Sequence, residues 1–102
     1  MKKLITTAAI IAIMTTTVMA KENKVEVCKN YANLAETIME HRQSGTPVFE
    51  MMEMASKVKA KALAEHLIIN AYDVHIFDTK EYQDKMIKQF KNDSFIKCMQ
   101  QY

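Results

Sequence analysis

Glycine and proline each occur once in this chain of 102 residues, at Gly45 and Pro47, and tryptophan does not occur at all. One glycine leaves no phosphate-cradling loop. None of Ser44, Ser56 and Ser94 sits in a G-x-S-x-G nucleophile elbow. The only two cysteines, Cys28 and Cys98, do not form a redox-type C-x-x-C pair. His41, His66 and His75 include no pair four residues apart, so H-E-x-x-H is missing as well. Sustained apolar-polar alternation, the signature of a strand, is also absent. Each absence removes a class of chemistry. The chain reads as a non-enzyme without a cofactor.

What is present begins at the first residue. Met1-Lys2-Lys3 is positive, Leu4 to Thr17 is mostly apolar, and Val18-Met19-Ala20 has the small-residue form of a cleavage site. The apolar stretch is short and diluted by threonines, whereas a spanning helix wants about 20 predominantly apolar residues. Residues 1–20 are therefore expected to be a signal peptide cut near Ala20. The mature protein would lie in the periplasm or be secreted, touching a membrane only if cleavage failed. Lys2 and Lys3 are two of the 14 Lys and Arg, and none of the 12 Asp and Glu precedes Lys21. The mature chain is thus formally neutral. That balance argues against nucleic acid, where affinity comes chiefly from cations on phosphate. It argues equally against docking on anionic lipid.

Residues 21–102 are expected to form a single helical domain. Chains of this size often need a covalent staple. Two cysteines allow one intramolecular pairing, and export favours it, so Cys28 and Cys98 are expected to form a disulfide. Helix formers dominate between them. The fold class is expected to be all-α, a small bundle of four or five helices closed by that bond.

Four helical stripes can be placed. The first runs from about Val25 to Arg42, with Cys28, Tyr31, Ala35, Ile38, Met39 and Arg42 on one face. Gly45 supplies a left-handed stop, Thr46 an N-cap and Pro47 a first helical residue. The second helix reaches about Val58 with Phe49, Met52 and Ala55 inward. The third carries Leu63, Ala64, Leu67, Ile68, Ala71 and Tyr72, and its apolarity suggests the central position. Asp78 and Glu81 read as an acidic capping box for the fourth, with Phe77 and Tyr82 as a hydrophobic staple. Its face is Tyr82, Met86, Ile87 and Phe90. Lys91 to Ser94 reads as a kink or a stop before a last turn that brings Cys98 back to Cys28.

Two sites remain as candidates. The corner His41, Arg42 and Gln43, followed by Phe49 and Met51, combines Arg and an aromatic beside a methionine-rich surface, the composition of interface anchors. It points to another envelope protein as the partner. The alternative is a soft metal, Cu(I) or Ag(I), held by Met51, Met54 and His41, since thioethers favour such ions. Methionine is also the adaptable filler of irregular cores, and packing is the preferred reading here. A small periplasmic chaperone or stress protein is a third possibility.

Cys28, Leu34-Ala35, Ile38-Met39, Arg42-Gln43, Gly45, Met51-Met52, Ala71-Tyr72, Phe90 and Cys98 together resemble a group of small exported helical proteins of proteobacteria and their phages. That group has two end-placed cysteines, an R-Q-x-G corner and an A-Y pair. The resemblance implies a phage or prophage origin and no particular activity. In this chain Val74-His75 stands where a proline would follow the A-Y pair.

Overall fold

A computed structural model describes the backbone from Lys2 to Gln101 and the side chains from Asn23 to Gln101. The leader read into residues 1–20 lies outside the described side chains. Four helices follow in order: α1 (Lys2–Gln43), α2 (Val48–Ala55), α3 (Lys61–Tyr72) and α4 (Lys80–Gln101). No strand occurs among the described residues. Among them, too, no helix is long and apolar enough to cross a membrane.

The disulfide joins Cys28 to Cys98 with the Cα atoms 5.5 Å apart. Lys91 Nζ reaches Glu36 Oε1 at 3.1 Å, about two turns from the disulfide on each helix. These two links fix α1 and α4 as antiparallel neighbours. Their register puts Ala32 and Ser94, both buried, between them. Small side chains at that level let the two backbones approach.

The core is built by α1, α2 and α3. Ala35, Ile38 and Met39 of α1 meet Met51 and Ala55 of α2 and Ala64, Leu67, Ile68 and Ala71 of α3. Met86, Ile87 and Phe90 of α4 pack on its edge. Met39, Leu67 and Ile68 are fully enclosed, and burying such side chains stabilises a fold by roughly 1.5–3 kcal/mol each. α1 packs against both α3 and α4, and α3 packs against both α1 and α2, so the two share the centre. Apolarity had pointed to α3. Its Ala64, Leu67, Ile68 and Ala71 are buried on one face, while Leu63 and Ile69 are left exposed.

Four local readings change. Pro47, not Thr46, is the N-cap of α2, with φ −61° and ψ 143°. Met51 and Ala55 form the buried stripe of that helix, and Phe49 faces solvent. Thr79 starts α4 in place of Asp78: its Oγ1 accepts from the Tyr82 amide at 3.3 Å, and its carbonyl from the Gln83 amide. Phe77 and Tyr82 still meet, with ring centroids 6.3 Å apart, although Tyr82 is largely exposed. The segment Lys91 to Ser94 does not stop the helix, which continues to Gln101, and Ser94 is buried.

The end of α1 follows its sequence closely. The Thr46 amide donates to the His41 carbonyl and the Gly45 amide to that of Arg42, the paired bonds of a Schellman stop. Gly45 has φ +86°. A Cβ there would meet nothing within 4 Å, so a substitution suffers only backbone strain. Gly45→Val is expected to lower stability by about 1–2 kcal/mol in thermal melts, and Gly45→Asn by less.

Candidate functional site

The corner after α1 is organised by the last two residues of that helix. Arg42 and Gln43 continue the stripe of Ala35, Ile38 and Met39, so the helix aims two polar side chains toward the interior. Both find the connection between α3 and α4. Arg42 Nε donates to the Val74 carbonyl at 2.7 Å, and its guanidinium lies 4.9 Å from the Tyr72 ring centroid. Gln43, buried, donates from Nε2 to the His75 carbonyl at 3.0 Å. Its Oε1 accepts from the Phe77 amide at 2.9 Å. One amide side chain thus serves two backbone groups of an irregular segment that has no ladder of its own. Gln83 Nε2 completes the set on the Phe77 carbonyl at 2.7 Å.

Thr46 ties the other side of the corner. Its carbonyl accepts from the Tyr72 hydroxyl, and its Oγ1 lies 3.1 Å from His41 Nδ1. Burial raises the Tyr72 phenol above its ordinary value, the Arg42 guanidinium pulls it back, and Glu50 adds to the rise. The upward shift favours the protonated phenol, the form that donates to Thr46.

The five residues read as an interaction corner therefore divide. Gln43 and Met51 are buried, the first clamping the α3–α4 connection and the second packing in the core. His41 and Arg42 are half-buried and bonded within the corner. Phe49 is 64% exposed, the most exposed large apolar side chain among the described residues. Val48, also exposed, and the half-buried Met52 flank it on the same side of α2. Of the residues read as a soft-metal set, Met51 is enclosed while Met54 faces solvent. Among the described residues, no cluster of three or more His, Cys, Asp or Glu is arranged to hold a metal ion.

A second feature has no counterpart in the sequence reading. A groove of about 620 Å³ lies between α1, α3 and α4. Val27, Tyr31, Leu34, Leu63, Leu67 and Phe90 supply its apolar surface. Asn30, His66, Asn70, Asp93 and Lys97 add polar groups to it. The only available signal was the excess of apolar positions on α3, where Leu63 had been assigned to the core. Burial raises the Tyr31 phenol in this groove above its ordinary value. Comparison of the chain with protein-family models, curated proteins and solved structures found no match.

Proposed function

We propose that this is an exported, non-catalytic helical protein that acts by binding another envelope protein through the α1–α2 corner and the outer side of α2. The observation that carries the reading is Phe49: a large aromatic held in water, one turn beyond a corner whose other polar groups are bonded to each other. Aromatic anchors flanked by apolar neighbours on a rigid support are what dominate binding at interfaces. The leader-like first twenty residues and the disulfide favour an oxidising compartment outside the cytoplasm. The resemblance to small phage and proteobacterial exported proteins makes a modulator of the host envelope the preferred form of this function.

The test uses one exposed side chain. Phe49→Ser is expected to leave the melting temperature nearly unchanged, since exposed positions usually matter by less than about 0.5 kcal/mol. Capture of a partner from periplasmic extract by the wild-type protein should be lost with this variant. Affinity for the captured partner should fall by at least about thirtyfold, the scale of a 2 kcal/mol hot spot. Extract that yields no partner at physiological concentration, or a partner held equally well by Phe49→Ser, would overturn the proposal.

A further inference from the structure

We propose that the connection between α2 and α3 is a processing site, cut between Lys59 and Ala60 by an endopeptidase of lysine specificity, and that the product persists as two chains joined by the disulfide. This goes beyond the protein-binding reading and shares no residue with the Phe49 surface. From Ser56 to Leu63 eight consecutive residues are exposed, the longest such run among the described residues. Buried Ala55 and Ala64 bound it, so the run can be drawn out without taking a side chain from the core.

Backbone bonding selects the bond. An endopeptidase receives its substrate as an extended strand and pairs with that strand's N–H and C=O groups. The amides of Ser56, Lys57 and Val58 are tied back to the carbonyls of Met52, Met54 and Ala55. Among the described residues, neither the amide nor the carbonyl of Lys59 has a hydrogen-bond partner. Ala60 opens α3 without a side-chain cap, no acidic residue stands in the first turn, and Lys61 sets a cation at the positive end of the helix. That turn is weakly held and can unwind to complete the strand.

Side-chain chemistry selects the class of enzyme. Lys57 and Lys59 are the only Lys or Arg outside the helices among the described residues, and neither makes an ion pair there. The Lys59 ammonium is free to enter an acidic specificity pocket. Lys57 is the poorer choice, because the Val58 amide that would leave is bonded to Ala55. Hydrolysis adds one water across the Lys59–Ala60 amide, leaving a carboxylate on Lys59 and an ammonium on Ala60. The fragment ending at Lys59 keeps Cys28 and the α1 and α2 share of the core, while the fragment starting at Ala60 keeps Cys98 and the α3 share. The disulfide and the bonds from Arg42 and Gln43 to the α3–α4 connection then join the two chains.

Brief trypsin digestion of the folded, full exported protein tests this, with unreduced and reduced masses read in parallel. The first product should be one species heavier by a single water, which reductant splits into a fragment ending at Lys59 and one starting at Ala60. Its helical circular dichroism should persist before reduction. Lys59→Gln should slow hydrolysis at this bond by at least about a hundredfold, since a pocket built for a charged group rejects its neutral counterpart. Lys59→Arg should restore cutting by trypsin, and both variants should melt like wild type. Periplasmic extract should produce the same two fragments from the wild-type protein. A first cut at any other bond, helical signal lost on cutting, equal cleavage of Lys59→Gln, or a protein left whole by the extract would overturn the proposal.

Discussion

Replacing Cys28 by serine is expected to lower the unfolding free energy by about 2–5 kcal/mol, the largest single effect in this chain. The bond closes a loop across a sequence separation of 70 residues. In the chain-entropy account, a loop of that length restricts the unfolded ensemble by roughly 4 kcal/mol. A domain of this size commonly has only about 5–15 kcal/mol in total. The folded state loses packing as well, because Cys28 is completely buried beneath the α1–α4 contact. Denaturant unfolding of Cys28→Ser and Cys98→Ser, each against wild type, measures the loss. Wild type in reductant should lose most of the same stability. Cys98→Ser, at the less buried end, should lose slightly less than Cys28→Ser. Stability unchanged by reduction would show that helix packing alone closes the bundle.

Gln43→Ala is expected to cost about 2–4 kcal/mol, far more than a helix-terminal glutamine on the surface would. Its side chain is buried and satisfies one carbonyl and one amide of the α3–α4 connection. Each buried group left without a partner costs about 1–3 kcal/mol. Gln43→Glu preserves the acceptor for the Phe77 amide but puts a carboxylate against the His75 carbonyl, so it should not rescue. Chemical denaturation gives the magnitude. Hydrogen exchange gives the place, since the Phe77 amide should lose protection before amides in the middle of α3. An Ala variant as stable as wild type would show that water replaces the side chain.

The same glutamine marks how far the sequence could be read. Helix content, the Gly45 stop and the pairing of Cys28 with Cys98 follow from local rules: periodicity, left-handed backbone and the count of cysteines. The structure agrees at all three. The partner of Gln43 lies 32 and 34 residues away, in a segment without periodicity, and no local pattern specifies such a bond. A polar residue continuing the stripe of Met39 was the available clue. Placement of Phe49 and Leu63 failed for a related reason. An apolar residue near the edge of a stripe is buried only if a neighbouring helix covers that edge. Here α2 has one main neighbour, and the α3 edge opens on the groove. The groove itself depends on how three helices splay, a property of tertiary arrangement.

The antiparallel pairing of α1 with α4 also imposes an order of events on a chain delivered from its N-terminus. Cys28 arrives early and Cys98 seventy residues later, among the last turns. Until then α2 and α3 can fold back on α1 through short connections, but the face around Cys28 has nothing to cover it. The thiol waits, open to oxidants and to wrong partners, for as long as synthesis of the rest of the chain takes. Closure by α4 is consequently a signal of completeness: a truncated chain cannot acquire the covalent seal that a whole one does.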